Sequence, residues 1–304
     1  MHREESEERR DARHRAARRA AMDHVLALIA AAPWSAGLVL RGSVPLCAWL
    51  GDRAREPGDL DWVMPAPAPP APEFGTWGTR PVLPPEGLRW ADAGEYMYPR
   101  SPYEDLVATL RERPIASRGV VLDVEGCRED GDWTYRYDEN PGIRIIVPWH
   151  AEGLEPGTVR LDFASDETLP EAPVWTAVPR GDGGPPTPVR TASRALSLAW
   201  KLLWLHTDGE DGEAVGAKDL FDAVLLAGSP RTRLTPRLLR KVLGRERSAR
   251  FGTETVRGWR VDPADWEALQ ADPGDEAAEW RERLARALAP LLDAPSWTTP
   301  FSPY

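Results

Sequence analysis

The chain has 304 residues, of which 42% are hydrophobic and 28% are charged, and its formal net charge is −10. This length suffices for one large domain or two ordinary ones, and no apolar run approaches the roughly 18 residues of a membrane span. Cys47 and Cys127 lie far apart, which excludes a disulfide framework and argues against a cysteine-rich zinc site. The charged N-terminus lacks the apolar core of a signal peptide, so the sequence predicts a soluble, cytoplasmic protein.

The first 64 residues predict a helix, a strand, a turn, a second helix and a second strand, in that order. Apolar spacing and the positions of proline and glycine set the bounds. The predicted elements are a helix over 4–32, a strand over 37–40, a turn at Gly42-Ser43, a helix over 44–50 and a strand over 59–64.

The rest of the chain predicts strands followed by helices. Residues 65–90 are rich in proline, and we assign no structure to them. The predicted elements are a helix over 103–113, strands over 120–124, 133–137, 143–147 and 158–163, and helices over 191–206, 217–227, 235–243, 263–270 and 276–292. We expect a core over 1–165, a Pro/Gly-rich linker over 166–190 and a helical domain over 191–304.

Two aspartates at the second strand predict a metal site. Side chains alternate along a strand, so Asp59 and Asp61 project from the same face. Carboxylates held that close repel each other, and a divalent cation between them relieves the repulsion. Asp162, on a later predicted strand, is a third acid that would either complete the metal site or deprotonate an attacking hydroxyl.

The turn that precedes these aspartates predicts a phosphate site. Gly42 and Ser43 offer backbone N–H groups and a hydroxyl at the start of a helix, and such groups suit the phosphates of a nucleotide. A Gly-Ser turn is more often only a helix cap. The order of strand, turn, helix, loop and acidic strand strengthens the functional interpretation.

Lysine is scarce in this chain, since only Lys201, Lys218 and Lys241 occur. Lys201 lies on a predicted helix beside two tryptophans, where a compact ammonium suits a point contact to phosphate. Asp219 and Asp222 share a helix face, and capping of that helix is the alternative to a functional role. We predict a functional role for Asp219 and a structural role for Asp222.

Two stretches resemble a known family. LRGSVPLCAWL…RAREPGDLDWVM is similar to the first motif of polymerase-β-type nucleotidyltransferases, and more narrowly of the AbiEii/AbiGii abortive-infection toxins. ALSLAWKLLWLHT…AKDLFDAVLLAG resembles the helical motif of that family, in which a lysine precedes an Arg-Asp segment. The resemblance implies an α+β fold, with a polymerase-β-like core of a mixed sheet flanked by helices and a mainly helical C-terminal domain.

The resemblance also implies roles for individual residues. Gly42 and Ser43 would hold the triphosphate, and Arg55 occupies the place of the arginine that precedes the Asp-x-Asp strand. Asp59 and Asp61 would bind Mg²⁺. Lys201 would contact phosphate, and Asp219 would support the catalytic centre. The chain departs from the family at Lys218, where the motif has arginine, at Arg41 in the first turn, and in its long proline-rich segment; these departures bear on substrate choice.

The expected activity is Mg²⁺-dependent transfer of NMP from an NTP to a hydroxyl. The resemblance implies a toxin that modifies the acceptor end of tRNA and is countered by a cognate antitoxin. Residues 231–260 contain ten Arg or Lys residues against two acids, and this basic segment is a candidate RNA surface. Two alternatives stay open: an enzyme of the same chemistry that acts on a small molecule, and a non-catalytic nucleotide- or RNA-binding module.

Overall fold

In a computed structural model of the chain, the structure describes residues 2–64, 101–130, 142–165, 169–269, 276–294 and 297. The proline-rich segment 65–90 and the predicted strand 133–137 lie outside these residues. Within the described part, no helix combines the length and the apolar character needed to cross a membrane.

Helices and strands alternate in an α+β arrangement, as the sequence predicts. The helices are α1 His2–Ala31, α2 Val44–Leu50, α3 Tyr103–Glu112, α4 Arg194–Glu210, α5 Ala217–Ala227, α6 Pro236–Arg250, α7 Thr253–Gly258, α8 Pro263–Leu269 and α9 Ala277–Leu292. The strands are β1 Val39–Arg41, β2 Leu60–Met64, β3 Val121–Leu122, β4 Arg128–Glu129, β5 Gly142–His150, β6 Gly157–Ser165, β7 Val174–Val178 and β8 Thr187–Thr191.

The described chain falls into two compact units that do not follow the expected domain bounds. The first unit comprises Met1–Leu38 and Trp62–Thr168, and the second comprises Val39–Asp61 and Leu169–Tyr304. The stretch from β1 to the start of β2 therefore belongs with the C-terminal half of the chain. Sequence order alone did not indicate this exchange, because the two parts of the second unit are more than 100 positions apart in the sequence.

The first unit is built on an antiparallel hairpin of β5 and β6. Its register sets Arg144 opposite Asp162, and β3 and β4 pair antiparallel with β5. Helix α1 packs on β6 and α3. Apolar side chains such as Ile29, Leu161 and Phe163 are completely buried, and they form the hydrophobic interior of this unit.

The second unit has a mixed sheet and a helical core. β1 runs parallel to β8, with Leu40 opposite Thr191, and β8 runs antiparallel to β7. Helix α2 contacts β7, while α4, α5, α6, α7 and α9 pack around a cluster of buried leucines and tryptophans. The predicted mixed sheet with a helical C-terminal part is confirmed.

The segment 166–190, expected to be a linker, carries β7 and most of β8. Thr191 does not cap α4 as predicted. It ends β8, and its hydroxyl shares a 2.7 Å hydrogen bond with the hydroxyl of Thr176 on β7. Ser193 caps the helix instead, because its Oγ accepts a hydrogen bond from the backbone N–H of Leu196.

Candidate active site

The turn between β1 and α2 brings a carboxylate against a glycine. Gly42 has a φ of +72°, and a Cβ at this position would lie 1.9 Å from Oδ2 of Asp61. Any side chain at position 42 would therefore displace the Asp61 carboxylate. The glycine is required both for the left-handed backbone and for the space that the carboxylate occupies.

Ser43 carries a buried hydroxyl without an internal partner. The residue is 2% exposed, and its Oγ has no hydrogen-bond partner among the described residues. It also makes no side-chain cap to α2. An unpaired buried hydroxyl costs on the order of 1–3 kcal/mol, so the position is suited to a ligand oxygen that would satisfy it.

Three aspartates provide oxygen atoms close to one another. One carboxylate oxygen each of Asp59, Asp61 and Asp162 lies within 4.8 Å of the others. Asp59 immediately precedes β2, Asp61 lies on it, and Asp162 lies on β6. Hard divalent cations such as Mg²⁺ take carboxylate oxygens as ligands. The donor set, together with the glycine that makes room for Asp61, fits such an ion.

Asp162 is the buried member of this acidic cluster, and Arg144 holds it. Nε and Nη2 of Arg144 donate to the two carboxylate oxygens of Asp162, each over 2.7 Å. A carboxylate has about four lone-pair sites, so this bidentate pair leaves capacity to bind a cation. The roles of Asp162 as a metal ligand and as a base both stay predictions.

Lys201 lies at the centre of a second charged group, in which all residues belong to the second unit. Its Nζ is 2.7 Å from Oδ1 of Asp219 and 2.9 Å from Oδ2 of Asp222, and the side chain is almost completely buried. Asp222 in turn accepts hydrogen bonds from Nε and Nη2 of Arg55. We call Arg55, Lys201, Asp219 and Asp222 the charge network; it contains two cations and two anions.

The charges in this network stabilise one another. Burial alone would lower the pKa of Lys201, but the carboxylates of Asp219 and Asp222 outweigh it and raise that pKa above its ordinary value. Burial would likewise raise the pKa of Asp219, yet the Lys201 ammonium lowers it overall. Lys201 is therefore a permanent cation and Asp219 a permanent anion at neutral pH.

Arg55 connects this network electrostatically to the acidic cluster. Burial acts to lower its pKa, whereas Asp222, Asp219 and Asp59 all raise it, and the net effect is an increase. Arg55, Lys201 and Asp219 are thus brought together as the sequence led us to expect of a common site. Their functional roles stay predictions.

Asp222, for which the sequence predicted a structural role, is the most deeply buried residue of the charge network. It is completely buried, with 0% exposure, and it is the one residue of the charge network that contacts both cations. A usable signal was present, since Asp222 occupies the apolar stripe of α5 with Leu225 and Leu226 three and four residues later. A carboxylate at such a position needs a buried partner.

Arg41 is a further cation that the sequence analysis left without a role. Its guanidinium carbon lies 5.3 Å from the ring centroid of Trp200 and 5.6 Å from that of Trp204, and Lys201 Nζ lies 5.5 Å from the Trp204 ring. Cation–π contacts of this kind hold desolvated cations near an aromatic face. The two tryptophans on α4 therefore help to fix Arg41, which precedes the turn at Gly42, and Lys201.

The α+β fold with a mixed sheet, an acidic cluster beside a glycine turn and a buried lysine together define a nucleotidyltransferase. The chain belongs to the family described as nucleotidyl transferase AbiEii toxin, type IV toxin–antitoxin system, whose model matches residues 24–299. The enzyme class and the family predicted from the sequence are thereby confirmed, and the family implies an antitoxin as partner and an NTP as substrate. A comparison with individually curated proteins gives no significant match.

Proposed function

We propose that this toxin transfers NMP from an NTP, with Mg²⁺, to a hydroxyl at the acceptor end of tRNA. The observation that carries the proposal is the acidic cluster of Asp59, Asp61 and Asp162, which lies beside the turn at Gly42. Family membership supports the transfer chemistry and the toxin role. The basic segment 231–260 supports RNA as the acceptor.

Asp59, Asp61 and Asp162 would hold the ion. When bound, Mg²⁺ neutralises the charge of the triphosphate and orients it for in-line displacement. Arg144 fixes the orientation of the Asp162 carboxylate through two hydrogen bonds, and Gly42 leaves room for the carboxylate of Asp61. The positions of the oxygen ligands thus depend on two residues that need not touch the ion.

Ser43 and Lys201 would contact the phosphates of the nucleotide. The buried Ser43 hydroxyl donates to a phosphate oxygen, which supplies the partner that it lacks within the protein. Lys201 donates a hydrogen bond to Asp219 and forms an ion pair with Asp222, and a remaining N–H donor would bind a phosphate oxygen. The acceptor oxygen forms a bond to the α-phosphorus, the bond to pyrophosphate breaks, and the hydroxyl proton passes to the acidic cluster.

One observation favours a different acceptor. The net charge of −10 opposes general binding of nucleic acid, which keeps a small hydroxyl compound as the second candidate. The chemistry at the α-phosphorus is the same in both cases. The two candidates differ only in what supplies the attacking hydroxyl.

The test is incubation of the purified protein with each α-labelled NTP and Mg²⁺, with and without bulk tRNA. Label that migrates with tRNA supports the proposal, and pyrophosphate release only on addition of a small hydroxyl compound supports the second candidate. Absence of both reactions would indicate a binding module without turnover. Asp61→Asn should abolish transfer, whereas Asp52→Asn, at an exposed position between α2 and β2, should retain it.

A further inference from the structure

Nine of the ten cations of the basic segment 231–260 separate into two groups, and the tenth, Arg245, is an exposed residue on α6. Only one of the two groups lacks partners among the residues that the structure describes. Members of the first group are already engaged within the protein. Arg247 and Arg250 pair with Glu210, and Arg257 pairs with Glu254 and Glu282. Lys241 and Arg260 donate to the backbone carbonyls of Pro170 and Gly212, and Arg240 donates to that of Trp297.

The second group lies at the start of the segment. Arg231, Arg233 and Arg237 are exposed, and none of them makes a hydrogen bond or an ion pair with the residues that the structure describes. They flank the N-terminus of α6, which begins at Pro236. Three guanidinium groups without internal carboxylates are a local positive charge on an acidic protein.

Arg194 extends this positive surface to another helix. It begins α4, and its guanidinium carbon lies 5.6 Å from the ring centroid of Trp49. Its pKa is lowered, by burial first and then by the positive charge of Arg231, so the two guanidinium groups repel each other. The nearby acid Glu171 is hydrogen-bonded by Ser193. An anion placed against both arginines would relieve the repulsion.

We infer that Arg194, Arg231, Arg233 and Arg237, with the ring of Trp49, form the surface that binds the phosphate backbone of the RNA acceptor. We call this surface the arginine patch. The inference rests on the proposed function and names the part of the protein that selects its macromolecular substrate. Guanidinium groups pair with phosphate bidentately, and the Trp49 ring, which packs against the hydrophobic core, positions the Arg194 guanidinium.

Two helices connect the arginine patch to the residues of the candidate active site, all within the second unit. Trp49 lies on α2 six residues after Ser43, and Arg194 lies on α4 seven residues before Lys201. At 1.5 Å of rise per residue, these separations along the helix axes are about 9 Å and about 10 Å. Trp49 and Arg194 therefore lie within a few nucleotide lengths of Ser43 and Lys201 along these two helices.

The inference is tested with a pair of triple variants that remove the same formal charge from the same segment. The patch variant is Arg231→Gln/Arg233→Gln/Arg237→Gln, and the control variant is Arg247→Gln/Arg250→Gln/Arg257→Gln. Binding of fluorescein-labelled bulk tRNA is followed by anisotropy from 50 to 300 mM salt. Because binding needs no turnover, the assay reports on the patch even if transfer to RNA fails.

The patch variant should bind tRNA about tenfold or more weakly at about 100 mM salt, since each lost phosphate contact weakens binding and releases fewer counterions. The slope of log K against log salt should fall by about 0.7–0.9 for each arginine removed. The control variant should stay within about twofold of wild type. Arg194→Gln alone should weaken binding in the same direction, and the KM for NTP should be unchanged in all variants.

Three results would overturn the inference. One is an equal loss of tRNA affinity in both triple variants. Another is a rise in the KM for NTP with unchanged tRNA affinity, which would make the patch a triphosphate site. A third is displacement of tRNA by poly-glutamate as effectively as by unlabelled RNA of equal charge, which would indicate an acidic protein partner. If wild type binds tRNA through the patch but transfers no NMP to it, the proposed function fails and the binding surface stands.

Discussion

Arg55 and Asp222 are joined by three hydrogen bonds across 167 positions of sequence, with donor–acceptor distances of 3.0–3.2 Å. Arg55 lies in the loop that leads to Asp59, and Asp222 lies on α5. The approach to the acidic cluster is thus anchored to a helix of the C-terminal half. Because Asp222 also contacts Lys201, one carboxylate positions two cations of the candidate site.

Removing that carboxylate should cost both stability and activity. Asp222→Ala leaves the buried cations Arg55 and Lys201 undercompensated, and loss of one partner of a buried ion pair costs about 3–5 kcal/mol. Urea unfolding measures the effect. Glu155→Ala, which breaks the exposed pair with Arg10, should cost less than about 1 kcal/mol. Equal losses in the two variants would contradict a structural role of the charge network.

Gly42→Ala should abolish NMP transfer while leaving the protein folded. The new methyl group would meet Asp61 Oδ2 at 1.9 Å and push a predicted metal ligand out of place. Gly183→Ala is the matched control, because Gly183 has a similar φ of +75° and no atom within 4 Å of a built Cβ. Both variants bear the backbone cost of about 1–2 kcal/mol. Initial rates of labelled NMP transfer should fall at least about 100-fold only for Gly42→Ala.

Binding of Mg²⁺ should raise the melting temperature of the wild-type protein, because an ion that binds only the folded state stabilises it by mass action. Asp61→Asn should remove most of this increase, and Asp52→Asn should preserve it. Differential scanning fluorimetry over a Mg²⁺ titration, followed by addition of EDTA, measures the effect without any turnover. A Mg²⁺ response that persists in Asp59→Asn/Asp61→Asn would place the ion elsewhere.

The pair of Lys201 and Asp219 should stabilise the fold equally from about pH 5 to about pH 9. The pKa of Lys201 is raised, so its contribution is complete below the ordinary value of 10.5 and is lost as pH rises above it. The pKa of Asp219 is lowered, so its contribution is present above the ordinary value of 3.8 and is lost as pH falls below it.

The measurement is the difference in urea unfolding free energy between wild type and Lys201→Met/Asp219→Asn from pH 3 to pH 11. Subtraction removes the titration of groups common to both proteins. The difference should be flat in the middle of this range and should shrink at both ends. A decline between pH 6 and pH 8 would mean that one of the two groups is not held in its charged form.

Where an element ends at a glycine or a proline, the local sequence was sufficient to predict its bounds. Helix α2 over 44–50 and helix α5 over 217–227 have their predicted bounds, since each is followed by glycine at its C-terminal end. Helix α7 was not predicted because its six residues are too few to establish an apolar period. The hairpin of β7 and β8 was missed because its prolines and glycines resemble a linker, and only the pairing of β8 with β1 reveals a sheet.

The sequence was sufficient to predict which aspartates lie together in the candidate site. It did not predict which side chains they pair with. Asp59, Asp61 and Asp162 were predicted to meet, and their carboxylates lie together. The partner of Asp162 depends on the register of β5 and β6, which places Arg144 opposite it. No local pattern encodes that register. The position of Lys201 between two carboxylates likewise depends on how α4 packs on α5.

The second unit combines an early and a late part of the chain, so its native contacts form late in synthesis. Val39–Asp61 emerge from the ribosome early, but their partners lie within Leu169–Tyr304. Arg55 cannot pair with Asp222, and β1 cannot pair with β8, until these later residues have been synthesised. A nascent chain that stalls before residue 222 therefore carries the loop of the acidic cluster without its anchor. Nearly three-quarters of the chain is therefore translated before Asp222 is available to complete the charge network.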